Sequence, residues 1–204
     1  MAIYIGTSGN DTLIGTSAND GLYGLQGSDR LYGLTGNDTR DGGPGNDSSL
    51  FGNLGNDLIY GNDGQDRTLN GGMGSDTLFG GLERDSLLFG GDGDDTLHGD
   101  EGRDRLFFGG DGSDLLFGGP GDDRSLSGES GDDRIYGGDG REVGSFTYID
   151  DAAFSGGGNS EARFAGNGIV EVDRNGDGNA NYRFEVVGLT QANQLTATDF
   201  IWLS

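Results

Sequence analysis

Residues 71–79 read GGMGSDTLF. The segment is a glycine-rich turn, one aspartate, and a three-residue strand whose middle residue, Leu78, is apolar between mixed neighbours. Glycines supply positive φ and let backbones approach closely. The alternation after the aspartate has the period of a half-buried strand. A strand this short cannot stand alone, so the fold depends on whether the unit recurs in register.

It does. The aspartate that closes each turn falls at Asp11, Asp20, Asp29, Asp38, Asp47, Asp57, Asp66, Asp76, Asp85, Asp95, Asp104, Asp114, Asp123 and Asp133. The spacing is nine up to Asp47 and then alternates between ten and nine. The unit is therefore a pair of turns, nine plus nine early and ten plus nine later. A disordered acidic tract would not hold that register. The apolar strand residues form two columns. One holds Leu13, Leu31, Leu50, Leu69, Leu88, Phe107 and Leu126; the other holds Leu22, Ile59, Leu78, Leu97, Leu116 and Ile135. Two facing columns with parallel strands on both sides make a flattened coil, a parallel β-solenoid.

Charge decides what such a coil needs. The chain has 204 residues, 45 of them Gly, and a net charge of −23. It has no Cys, and all 12 basic residues are Arg. High charge with few large apolar residues ordinarily means disorder. Neighbouring coils lie ~4.8 Å apart, so aspartates on one edge stack at that spacing. At an effective dielectric of ~20, each such pair repels by roughly 3.5 kcal/mol. A buried Leu contributes only ~1.5–3 kcal/mol. The coil is implausible unless a cation sits between successive turns. Carboxylates and carbonyls, without Cys or His, suit the flexible oxygen coordination of Ca²⁺. Seven turns per edge leave about six gaps per edge. About twelve Ca²⁺ would carry roughly +24, close to the charge of the chain.

The repeat resembles the nonapeptide GGxGxDxUx of the RTX (repeats-in-toxin) family, a Ca²⁺-binding β-helix repeat. GGMGSDTLF, GGDGDDTLH (90–98), GGDGSDLLF (109–117) and GGPGDDRSL (118–126) carry the resemblance, which spans residues 6–140. It implies an all-β, right-handed parallel β-roll of 18–19-residue coils. It also implies that the Asp of one turn and the carbonyls of its glycine-rich loop share an ion with the turn one coil later. Carried onto this chain, the ligands are the repeat aspartates with the loop glycines Gly72, Gly74, Gly91, Gly93, Gly110, Gly112, Gly119 and Gly121.

Several positions depart from the repeat. The early turns IGTSAND and YGLQGSD lack the second Gly. GGLERD puts Glu83 and Arg84 where Gly74 and Ser75 stand one turn earlier. A side chain at Glu83 disfavours positive φ, so Asp85 is left out of the ligand set. Arg40 falls in the inward column. A buried unpaired Arg is costly, so either the strand is distorted or the guanidinium pairs with Asp41. In the longer coils one face gains a residue between Asp and the apolar position, which suggests a bulge repeated on one sheet.

Near Arg141 the pattern stops, dividing the chain into a roll over 1–142 and a β-rich segment over 143–204. GIVEVD and YRFEVVG flank a turn and predict a hairpin. The segment resembles the C-terminal part of serralysin-type secreted proteins through AFSG (153–156), the acidic run from Asp173 to Gly178, and DFIWLS (199–204). The resemblance implies a β-strand cap on the roll and an uncleaved type I secretion signal. Asp173, Asn175 and Asp177 also fit positions one, three and five of an EF-hand loop. Position twelve, however, is Phe184 where a bidentate Glu is needed. A Ca²⁺ site and a plain hairpin with Asx-turn chemistry both stay open.

The function classes narrow accordingly. There is no HExxH, no Cys nucleophile and one His, His98, placed in an outward column as a solvated side chain. No catalytic domain precedes repeats that begin near residue 6, so the chain is expected not to be an enzyme. The acidic surface repels nucleic acid, and no apolar run suits membrane insertion. The start MAIYIGTSGND lacks the basic and apolar stretches of a cleaved signal peptide; the resemblance to type I secretion substrates implies an extracellular location by uncleaved export. Without Lys, acylated pore-forming toxins fall away. The outward column Gly21, Thr39, Leu58, Thr77, Thr96, Leu115, Arg134 is not an ice-binding Thr rank. The expectation is a secreted Ca²⁺-binding β-roll. A surface-layer or adhesive scaffold, and a folding module of a larger secreted hydrolase, remain open beside it. A second outward column, Tyr23, Asp41, Tyr60, Phe79, His98, Phe117, Tyr136, and a partial one with Tyr32, Phe51, Phe89 and Phe108 suggest an aromatic contact face. That face points to self-association or stacking on cell-surface polysaccharide.

Overall fold

Each turn reverses the chain, and each three- to six-residue strand then lies beside the strand of the previous coil. In the computed structural model, residues 1–131 and 133–137 are described in full, with the backbone of Glu161–Phe164, Ile169–Asp173 and Tyr182–Glu185. The chain crosses between two parallel sheets at every half coil. An eight-stranded sheet runs from Ile3–Ile5 to Arg134–Tyr136, and a seven-stranded sheet from Thr12–Ile14 to Leu126–Ser130. This is a parallel β-solenoid of about seven coils with no helix among the described residues.

The two apolar columns face each other inside. Leu13 pairs with Leu31, and Leu31 with Leu50, so the stack runs on without a break where the coil lengthens by one position. Twelve residues of the two columns are at most 6 % exposed, from Leu22 to Ile135. Leu13 is only partly covered because it lies near the open end, where Tyr4 also packs on the stack. Each interior layer is one side chain thick, so the coil has little apolar area with which to offset its stacked charges.

Three expectations change. Arg40 does occupy the inward column, between Leu22 and Ile59, and is fully buried. Its guanidinium pairs with Asp38 and Asp57, not with Asp41. Asp41 faces outward and accepts the Asn62 Nδ2 hydrogen bond at 2.8 Å. An inward side chain cannot reach an outward one on the same strand, because successive side chains point to opposite faces.

The repeated bulge is also absent. Every coil after Asp47 carries the additional residue, so coils of equal length stack in step. The N–H of Arg67, Ser86, Arg105 and Arg124 each reaches the Asp carbonyl of the coil before, at 2.9–3.1 Å. Two residues oppose one only at the junction between the shorter and the longer coils. There Arg30 pairs with Ser49, and Ser48 donates its N–H to the Asp29 carbonyl.

His98, finally, is not simply solvated. Its ring is stacked between Phe79 and Phe117, with centroids 4.7 Å from each, and burial lowers its pKa. The stack continues to Tyr60 at one end and Tyr136 at the other. On the opposite sheet Tyr32 stacks on Phe51 at 5.6 Å, but Asn70 follows Phe51 in register and breaks the column.

The expected hairpin is present. Ile169–Asp173 pairs antiparallel with Tyr182–Glu185, and Glu161–Phe164, not anticipated, adds a third strand. Asp173 ends a strand. Asn175, Asp177 and the DFIWLS segment lie outside the described residues.

Candidate metal centre

From the Asp29 turn onward, left-handed backbone recurs four residues before the Asp, and in most of these turns two residues before it as well. Gly72, Gly91, Gly110 and Gly119 hold the first place with φ of 102–121°, and Gly74, Gly93, Gly112 and Gly121 the second with φ of 123–155°. A Cβ on Gly91 would overlap the Gly72 carbonyl oxygen, and one on Gly93 the Gly74 carbonyl oxygen. These carbonyls therefore point across the gap to the next coil. Where a side chain stands at the first place, as in Leu25, Leu34, Asn53, Asn62, Asp100 and Glu129, φ contracts to 62–80°, the left-handed well open to L-residues. Glu83, at the second place, does likewise at 76°.

The aspartates form one ladder on each edge. The Asp76 N–H donates to Asp95 Oδ1 at 2.7 Å, and the Asp95 N–H to Asp114 Oδ1 at 2.8 Å. The same bond recurs from Asp11 to Asp133. Asp85 keeps its rung, accepting from the Asp66 N–H and donating to Asp104 Oδ1. Asp20, Asp29, Asp38 and the ten that follow are at most 5 % exposed.

This leaves the second carboxylate oxygen. Oδ2 of Asp29, Asp47, Asp57, Asp66, Asp76, Asp85, Asp95, Asp104 and Asp114 is buried without a hydrogen-bond partner. An isolated buried charged oxygen costs several kcal/mol. Each points at the glycine five residues before its own Asp. A Cβ on Gly52 would overlap Asp57 Oδ2 and the Gly71 carbonyl of the next coil together; Gly61 and Gly90 behave in the same way. A carboxylate oxygen of one coil and a carbonyl of the next thus converge on a space only glycine leaves open. Among the described residues no three acidic or imidazole side chains cluster. A cation here would be met by carboxylate oxygens and backbone carbonyls, such as Asp57 Oδ2 and the Gly71 carbonyl. An all-oxygen set with several carbonyls fits Ca²⁺, which takes six to eight such ligands.

The electrostatics agree. Burial pushes Asp47, Asp57 and Asp114 up to about 6, Asp66, Asp76 and Asp104 up to about 7, and Asp85 and Asp95 up to about 8, although the ladder N–H groups oppose it. Without positive charge in the gaps, the roll favours protonated carboxyls.

Two arrangements escape sequence reasoning. Thr7 and Thr16 stand where the second glycine is missing. Their hydroxyls donate to Oδ2 of Asp11 (2.8 Å) and Asp20 (2.6 Å), joined by their own N–H groups. The repeated GTS of 6–8 and 15–17 is the available signal. An outer amide ladder also runs beside the aspartates: Asn19 Oδ1 accepts the Asn37 N–H, and Asn37 Oδ1 the Asn56 N–H, both at 3.0 Å. The recurrent Asn-Asp pairs signal it.

Comparison with known families gives a match to the RTX calcium-binding nonapeptide repeat (4 copies) over residues 5–39, 14–48, 41–67, 68–87, 89–125 and 125–143. These blocks cover the turns described above and well over half of the chain. No curated protein matches it.

Proposed function

Because this chain belongs to the family of RTX calcium-binding nonapeptide-repeat proteins, we propose that it is a secreted, non-enzymatic β-roll that folds only as extracellular Ca²⁺ enters the gaps between its coils. The observation that carries this reading is the row of nine partnerless Oδ2 atoms, most of them facing a glycine carbonyl of the next coil. The ligands are the ladder aspartates and the loop carbonyls. Bound Ca²⁺ supplies the positive charge that lets the carboxylates stay ionised. Binding free energy is then folding free energy. In low intracellular calcium such a chain stays unfolded and can be threaded outward, then fold outside. The test is calcium-dependent folding with Mg²⁺ as control. Mg²⁺ demands tight octahedral geometry and keeps its waters, so it should not replace Ca²⁺. The surface-layer scaffold and the module of a larger secreted hydrolase share this roll and this calcium dependence.

A second activity is favoured by the ring column. Tyr60, Phe79, His98, Phe117 and Tyr136 stack at 4.7–5.1 Å on one flat face. Two calcium-loaded rolls could meet through it, and rings so arranged also suit polysaccharide. Replacing Tyr60, Phe79 and Phe117 by Thr keeps strand propensity and removes the rings. Sedimentation of the calcium-loaded chain should show concentration-dependent dimer that this variant loses. A wild type that stays monomeric at high concentration rejects self-association.

A further inference from the structure

The gap between the Asp38 and Asp57 coils differs from its neighbours. Arg40 Nη2 lies 3.1 Å from Asp38 Oδ2, 3.0 Å from Asp57 Oδ1 and 3.4 Å from the Gly52 carbonyl. One coil later, Asp57 Oδ2 and the Gly71 carbonyl converge with no nitrogen between them. A Cβ on Gly33 would overlap Arg40 Nη2 together with Asp38 Oδ2, whereas one on Gly52 would overlap Asp57 Oδ2 and the Gly71 carbonyl. The arginine nitrogen therefore stands where two oxygens of adjacent coils converge elsewhere. Arg40 also leaves Nε and Nη1 buried without partners. That is poor packing chemistry for an inward position which Leu or Ile fills in adjacent coils. What the residue supplies is charge.

We propose that Arg40 is a built-in cation that closes the Asp38–Asp57 gap in place of calcium, so that this gap takes no ion. The proposal rests on the calcium reading of the other gaps. It extends to a property of the whole N-terminal end. In the two gaps above Asp11 and Asp20, the Thr7 and Thr16 hydroxyls already occupy the oxygen left open elsewhere. Of the twelve gaps between successive ladder aspartates, three are thus closed by the protein's own groups. Nine remain, one for each partnerless Oδ2. The first coils then hold together by internal bonds and give calcium-dependent coils a surface on which to stack.

The experiment counts ions on the full chain. Calcium-saturated wild type and Arg40→Leu are compared by native mass spectrometry, using Ca²⁺ alone as the probe. Leu continues the apolar column and empties the gap, so the variant should hold one ion more than wild type. The difference is unaffected by any ion held outside the roll. Should Arg40→Leu not fold in calcium, Arg40→Gln keeps a polar side chain of similar length without the charge and should likewise add one ion. An equal count in a folded variant overturns the proposal while leaving calcium binding by the other coils intact. A wild type that holds no calcium overturns both.

Discussion

Replacing Gly91 by Val should unfold the central coils, or cost more than ~3 kcal/mol where calcium still holds them together. Gly91 has φ of 121°, outside the left-handed well in which Asn53 and Asn62 sit. A β-branched residue there carries ~1–3 kcal/mol of backbone strain. Its Cβ also meets the Gly72 carbonyl oxygen, a backbone atom that cannot swing away. Large destabilisations of this kind come from strain and overpacking. The same carbonyl faces the inter-coil gap, so under the proposed calcium reading a displaced coil should also lose an ion. Denaturant unfolding of the calcium-loaded protein measures the effect. Asn53→Gly, at the equivalent place two coils earlier and with φ of 78°, should change stability little. Equal, near-wild-type stability of both variants would mean that the close approach of the coils is unimportant.

Acid should do part of the work of calcium. Unfolded aspartates titrate near 3.8, whereas Asp66 is raised to about 7 and Asp95 to about 8 in the roll. Between those values the folded chain binds more protons than the unfolded one. Stability of the metal-free roll is therefore greatest below about pH 4 and is lost as pH rises through 6 to 8. A proton on Asp57 Oδ2 also makes that atom a donor beside the Gly71 carbonyl. In excess chelator, β structure should be low at pH 8 and increase on acidification to pH 5. Calcium added at pH 5 should then release protons. A chelated chain with the same spectrum at pH 5 and pH 8 would contradict the buried-carboxylate account.

What the sequence discloses is whatever depends on spacing. The alternation between nine and ten determines which residues share an edge, and the apolar residue after each Asp determines the core from Leu22 to Ile135. What it withholds depends on atoms one coil away. Arg40 is recognisable as an inward charge, but its partner Asp57 belongs to the next coil and becomes adjacent only through the coil register. The fate of each Oδ2 is likewise hidden, because Thr7 reads as a missing glycine until its hydroxyl is seen on Asp11. His98 reads as outward and therefore wet; its partners Phe79 and Phe117 belong to the coils before and after its own. Glu83 reads as forbidding a turn that the backbone accommodates by shifting φ into the left-handed well.

The central claim is that cations hold the stacked aspartates together, and calcium titration at pH 8 followed by far-ultraviolet circular dichroism tests it most directly. Starting from the chelated chain, the account predicts a weak β signal that rises cooperatively with Ca²⁺, with Mg²⁺ at the same concentration leaving it unchanged. A full β spectrum in excess chelator at pH 8, unaltered by calcium, would contradict it.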